Sequence, residues 1–334
     1  MKSKRIGNLA FYSIKALALI CRVVPTVALK KFFRRYHQKL ILAVLRYHFS
    51  EEIDKWSTQP NPTQPNPTQP NPTQPNPTQP NPTQPSIQSI PKIIWNMWWQ
   101  GEDEAPDMVK MCWRSMRKQA NDFELRIITR ENYQTYLEVP EEIIQNLESG
   151  KLTFAGFSDY IRISLLVKYG GLWLDSTTYL SGKIPEDMLH KSFISRKIAP
   201  TYVDYPDHIH FPGHLKFDLW FLGAPPETIF MRFIQEAMTL YLMQNNRLIS
   251  YFYFGFFIEL AYQENVGAFK DILDDVKANN QYARGELLKI LNHPMNLVEI
   301  GKVVNEANWL HKLTYKWVED ESRQDKVIDW LRTQ

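Results

Sequence analysis

The sequence predicts an α/β fold, a sheet with parallel strands and helices on its flanks. Three observations predict it. Between Lys92 and Leu137, short apolar runs rich in Ile and Trp alternate with stretches of helical spacing, the strand-helix-strand order of a parallel sheet. Between Phe157 and Leu180, a helix-spaced stretch meets Gly170-Gly171 and then the apolar run Leu172-Trp-Leu174, which leads directly to Asp175. The apolar fraction of 44% over 334 residues is enough for a sizeable core. Neither Gly-x-Gly-x-x-Gly nor Gly-x4-Gly-Lys-Ser/Thr occurs, which argues against a dinucleotide oxidoreductase or a P-loop ATPase.

Residues 1–56 form a basic arm. They hold twelve Lys and Arg against three Asp and Glu, a net charge of +9, so the remainder carries −6 against +3 for the whole chain. The apolar stretch Phe11–Val24 is interrupted by Lys15 and Arg22 and falls short of the ~20 residues that span a bilayer. A secretory signal would need a small-x-small cleavage site, and none that convinces follows. The reading preferred is a set of amphipathic interfacial helices, with residues 1–50 held to an anionic membrane surface by Lys and Arg. The alternative is a helical subdomain packed on the body. The acidic body argues against a nucleic-acid partner.

Residues 57–86 form a linker of tandem Thr-Gln-Pro-Asn-Pro repeats. Proline at this density removes backbone donors and fixes φ, so an extended, disordered spacer of polyproline type is expected, neutral for catalysis. The globular body is residues 87–334.

Within that body, Lys92–Trp99 reads as the first strand, Pro106–Gln119 as a helix, Glu124–Thr129 as the second strand, and Arg130–Leu137 as the start of another helix. Thr201–His214 is polar and irregular. His208, His210 and His214 with Asp204 and Asp207 match no standard zinc spacing, and an irregular loop near the site is the simpler reading. Phe217–Leu222 reads as a strand, Pro226–Met243 and Tyr251–Gln263 as helices, and His311, Lys312 and Lys316 come late in the chain. Cys21 and Cys112 are too few and too far apart for a disulfide framework and read as apolar fillers in a reducing compartment.

The stretch that organises the body is Phe157–Leu180. Asp159 and Arg162 are three apart and share one helical face. Asp175 follows a buried strand, at the carboxyl edge of the sheet where ligands sit in open α/β folds. Taken singly, Asp159 and Arg162 read equally well as a solvated ion pair, and Asp175 as a turn cap.

Together these pieces resemble the capsular polysaccharide synthesis proteins, which are related to glycosyltransferase family 32 and more remotely to the clostridial glucosylating toxins. The pieces are Ile90–Gly101, Phe157–Arg162, Gly170–Thr177, Phe217–Phe221 and His311–Lys316, and they cover residues 87 to 318. The resemblance implies a GT-A glycosyltransferase fold. It implies a retaining transfer of sugar from a nucleotide-sugar donor, UDP-linked, to a growing capsular or lipopolysaccharide-type glycan or glycolipid. By the resemblance, Trp98 stacks on the donor base, Asp159 and Arg162 grip the donor sugar and diphosphate, Asp175 with Thr177 holds Mg²⁺ or Mn²⁺, Asp218 lies near the anomeric carbon, and His311 and Lys312 close on the diphosphate. The wider superfamily has Asp-x-Asp at the metal site. Here Asp175 is followed by Ser176 and Thr177, as in the capsular subgroup, and the second carboxylate is missing. A noncatalytic scaffold of capsule assembly, or a glycoside hydrolase using acids in an aromatic cleft, are the competing readings. The expected location is the cytoplasm, peripheral on the inner face of the cytoplasmic membrane.

Overall fold

The computed structural model describes residues 6–24, 26–58, 89–197, 217–275, 286–305 and 308–334. The repeat linker from Gln59 onward and the loop holding His208, His210 and His214 lie outside them. The arm is α1 (Asn8–Val23), α2 (Val27–His48) and α3 (Ser50–Ser57). The body continues with β1 (Ile93–Met97), α4 (Asp107–Gln119), β2 (Glu124–Ile128), a single turn α5 (Tyr133–Tyr136), α6 (Glu141–Glu148), α7 (Phe154–Tyr169) and β3 (Gly171–Leu174). Next come β4 (Thr178–Leu180), β5 (Ile194–Lys197), β6 (Phe217–Ala224), α8 (Ile229–Gln244) and α9 (Tyr253–Gln263). The short elements α10 (Phe269–Asp275), α11 (Glu286–Ile290), α12 (Leu297–Val303), β7 (Leu310–Lys312) and α13 (Val327–Thr333) complete the chain.

The central sheet has the order β2-β1-β3-β6-β5. The pairs β1–β2 and β1–β3 are parallel, as the strand-helix-strand pattern predicts, whereas β3–β6 and β6–β5 are antiparallel. The sheet is therefore mixed, not parallel throughout. The reversal has a functional consequence: β6 begins on the edge where β1 and β3 end, so Asp218 and Trp220 join the carboxyl ends of the parallel strands. Asp175 N–H donates to the Trp220 carbonyl at 3.0 Å across that edge.

The α7–β3 junction explains its two glycines. Gly170 (φ +66°, ψ −159°) ends α7 in a region open only to glycine. A Cβ there would lie 2.7 Å from Pro226 N, and one on Gly171 (φ +98°) would lie 2.7 Å from the Ile93 carbonyl oxygen. The chain can thus turn from helix into strand and lie against β1 within two residues. β3 is buried on both faces, with Leu172 and Leu174 on one apolar cluster and Trp173 on the other.

The arm packs on the body. Its inner residues Ile6, Phe11, Ile14, Ile41, Leu45, Phe49 and Trp56 share one apolar core with α7, α8 and α9. Phe49 meets Phe257 edge to face at 5.3 Å, Ile6 N–H donates to Asn245 Oδ1 at 2.9 Å, and Trp56 Nε1–H donates to Glu236 Oε2 at 2.6 Å. Cys21 and Cys112 are both buried and unpaired, and burial pushes the Cys112 thiol up to about 12, so it is an inert filler.

Candidate active site

A cleft of about 750 Å³ opens at the carboxyl edge of the parallel strands. Its lining includes Trp98, Asp159, Arg162, Asp175, Thr177, Asp218 and Lys312. Helical spacing puts Asp159 and Arg162 on the face of α7 that looks over β3, and Arg162 Nη2 lies 3.3 Å from Asp159 Oδ1 and 3.1 Å from Asp175 Oδ1. The guanidinium also donates through Nη1 to the Leu219 carbonyl on β6 and sits 4.9 Å from the centre of the Trp173 ring. One residue thereby ties α7, β3 and β6 together at the floor of the cleft.

Asp175 is held from both sides. Its Oδ1 accepts from Arg162 and from Trp173 Nε1–H at 2.9 Å, and its Oδ2 accepts from Lys312 Nζ at 2.7 Å. Burial alone would raise this carboxyl, but Lys312 and Arg162 outweigh it and hold the group below its ordinary range. Asp159 has the opposite balance. Burial is the largest effect, Arg162 opposes it, Asp175 adds to it, and the carboxyl is pushed up to about 7. Two acids on one cleft thus titrate far apart.

Lys312 arrives through the small sheet β4–β7, where Thr178 pairs with Lys312 and Tyr179 with His311. Successive strand residues face opposite ways, so only one of His311 and Lys312 can enter the cleft. It is Lys312, whose ammonium bonds Asp175 and Thr177 Oγ1 (2.9 Å). His311, expected on the diphosphate, is wholly buried on the other side, with Nε2 2.8 Å from Ser181 Oγ. Burial, with Arg196 adding to it, pushes its ring down to about 3, so it is a neutral core histidine. Lys316 likewise lies outside the cleft lining.

Trp98 stands at the rim, edge to face with Tyr315 at 5.6 Å, and its Nε1–H is buried without a partner among the described residues. Trp95 is core, donating to the Gly170 carbonyl at 2.8 Å, and Trp99 packs on Tyr133 and Phe157. Asp218 lines the cleft while only 3% exposed.

The expected Mg²⁺ or Mn²⁺ site at Asp175 and Thr177 does not fit this donor set. Both Asp175 oxygens are engaged by donors, and Thr177 Oγ1 accepts from the same ammonium. Among the described residues no three His, Cys, Asp or Glu side chains cluster as ligands. Arg162 and Lys312 already neutralise Asp175, and Lys312 would have to withdraw before a dication could take its place on Oδ2 and Thr177 Oγ1.

Sequence reasoning missed the support beneath Asp175. Asn96, fully buried on β1, accepts at Oδ1 from Trp113 Nε1–H (2.9 Å) and Ser176 Oγ–H (2.5 Å), and donates from Nδ2 to the Leu174 carbonyl (2.7 Å). Ser176 is thus a staple for the turn, not a ligand. The available signal was a single amide within the otherwise apolar Ile93–Met97. Tyr251, Phe254 and Tyr315 also line the cleft, and nothing in their local sequence separates them from core aromatics.

A family model for capsular polysaccharide synthesis proteins matches residues 23–331. No curated protein shows a significant match to the sequence. A solved structure described as PaToxG glycosyltransferase aligns with 84% of this chain and 96% of its own, at 13% identity and a TM-score of 0.38, a likeness too slight to carry an argument.

Proposed function

The chain belongs to the family of capsular polysaccharide synthesis proteins, and from that premise we propose that it is a GT-A type glycosyltransferase. The donor is a nucleoside diphosphate sugar, UDP-linked, and the acceptor is a growing surface glycan. What supports the reading is the convergence of Arg162, Lys312, Asp159 and Asp175 on one cleft walled by tryptophan, at the carboxyl edge of the parallel strands. Transfer breaks the bond from the anomeric carbon to phosphate oxygen, and negative charge grows on the diphosphate. Arg162 and Lys312 are cations held in that cleft before any donor arrives, and they would stabilise that charge as it develops. Asp159 and Asp218 offer carboxyl groups to sugar hydroxyls and to the face of the anomeric carbon, in a transfer that retains configuration. Trp98, backed by Tyr315, offers a ring for the base.

The test is nucleotide release by the full chain from a panel of UDP- and GDP-sugars. Asp175→Ala, Asp159→Ala and Arg162→Ala are each expected to cut transfer by orders of magnitude with the fold retained by circular dichroism. Wild-type turnover in all three overturns the assignment.

That growing glycan, carried on a glycolipid, is proposed to lie at an anionic membrane face, the inner leaflet of the cytoplasmic membrane. No helix among the described residues is long and apolar enough to cross a membrane. The outer side of the arm supports docking on one. Leu9, Tyr12, Leu19 and Val23 are exposed along one side of α1, and Leu29, Phe32 and Tyr36 along α2, with Lys15, Arg22, Arg35 and Lys39 also exposed. Co-sedimentation with vesicles containing phosphatidylglycerol, weakened by salt and by Leu19→Asp with Phe32→Asp, is the expected result. Equal recovery in the supernatant with and without vesicles would remove the idea. A dimer abolished by the same double variant would assign the face to a second copy instead.

A further inference from the structure

Lys312 occupies the position that a divalent cation is expected to take, and it is built in. It comes from β7, whose pairing with β4 is fixed over three residues, and Leu313 N–H donates to the Thr177 carbonyl at 2.8 Å immediately beyond it. An ammonium has three protons. Asp175 Oδ2 takes one at 2.7 Å and Thr177 Oγ1 another at 2.9 Å. Among the described residues the third has no hydrogen-bond acceptor, and the side chain lines the cleft with Arg162 across Asp175 from it.

We propose that this chain binds and activates its diphosphate without a divalent metal, with Lys312 supplying, from the Asp175–Thr177 seat, the charge that a metal would otherwise bring. The proposal rests on the transferase reading above. Asp175 then serves as the anchor of an ammonium and not as a metal ligand. That assigns a use to the missing second carboxylate. A hydroxyl at position 177 is a good seat for an ammonium proton, whereas a second aspartate there would add a charge that Lys312 alone does not balance. Arg162 is fixed by Leu219, Asp159 and Asp175, so the diphosphate meets two positioned cations whose orientation needs no metal.

The experiment is calorimetric titration of UDP, GDP and inorganic pyrophosphate into the full chain, first in EDTA and then in Mn²⁺ or Mg²⁺. The expected result is binding in EDTA, with a dissociation constant within about threefold of that in metal. Lys312→Met is expected to weaken binding at least tenfold in both conditions, and Lys312→Arg to recover most of it. Binding only in the presence of metal overturns the proposal and leaves the transferase reading standing. So does a Lys312→Met protein that binds as tightly as wild type once Mn²⁺ is added, because the lysine would then be a placeholder. Absence of binding by all three probes in both conditions overturns the transferase reading as well. The wild-type comparison in EDTA and metal does not depend on whether any variant folds.

Discussion

Arg162 Nη2 lies 3.1 Å from Asp175 Oδ1 across the junction of α7 and β3, and the same guanidinium reaches the Leu219 carbonyl through Nη1. A single side chain thus fixes the relative position of three elements that line the cleft. Lysine cannot reproduce this, because it lacks the planar fork whose Nη1 meets the Leu219 carbonyl while Nη2 meets the two carboxylates. Arg162→Lys is therefore expected to lower transfer by about a hundredfold or more. It should also cost about 1–3 kcal/mol of stability, the range for a buried carbonyl left without its donor. Unfolding in urea and steady-state kinetics check the two parts separately. Near wild-type activity in the lysine variant would show that Arg162 acts as a plain charge.

Asn96 makes a second prediction. Its amide is the shared partner of Trp113, Ser176 and the Leu174 carbonyl, all buried. Asn96→Ala leaves the Trp113 indole N–H short of an acceptor and the Leu174 carbonyl short of this donor, while Ser176 keeps its bond to the Met97 carbonyl. The expected loss is about 2–6 kcal/mol, at about 1–3 kcal/mol for each of the two buried groups. Asn96 does not touch the cleft, so the loss of activity should exceed what unfolding explains only if the turn carrying Asp175 loosens. Comparing the urea midpoint with kcat in the folded range separates these effects.

These two residues mark how much was legible in the sequence. The segment from Phe157 to Thr177 was readable because helical spacing, a glycine stop and a short apolar strand are local signals. They brought Asp159, Arg162 and Asp175 to one cleft as expected. Lys312 was readable as a basic residue near the site, but its contact with Asp175 spans 137 positions and depends on the register of a three-residue strand. That register also decided against His311, since a strand sends neighbouring side chains to opposite faces and sequence does not say which face is wet. The antiparallel β6 was hidden for a related reason: an apolar run such as Phe217–Leu222 predicts a strand and not its direction. The arm's two-sided character was hidden too. Its inner stripe packs on α8 and α9, while Leu9, Tyr12, Leu19 and Val23 stay outside, and composition alone does not separate the two.

Gly171→Ala gives a third prediction at the helix-strand junction. A methyl there would meet the Ile93 carbonyl oxygen at 2.7 Å, and φ of +98° is one that alanine rarely adopts. Backbone atoms of a central strand cannot withdraw as a side-chain tip can. The expected cost exceeds about 2 kcal/mol, read from the urea midpoint. Gly7→Ala, where nothing lies within 4 Å of the added carbon, is the matched control and should change the midpoint little.

Asp159 supplies the prediction about pH. Burial pushes its carboxyl up to about 7, while an unfolded aspartate titrates near 3.9. Between those values the folded chain holds a proton that the unfolded chain has released. The contribution of this group to stability is therefore fully present below about pH 4 and is lost as pH rises through 7, on the order of a few kcal/mol in all. Asp159→Asn cannot titrate and escapes that loss. The stability of the variant relative to wild type should accordingly rise between pH 5 and pH 8. Asp175 runs the other way, because Lys312 and Arg162 hold its carboxyl below the ordinary range and its contribution disappears only as pH falls below about 4. Working above pH 5 isolates Asp159 from it. Urea midpoints of both proteins at pH 5, 6, 7 and 8 decide the matter: a constant difference across that range would mean that the carboxyl is ionised throughout. In that case Asp159 would bring a full negative charge to the cleft before any donor arrives.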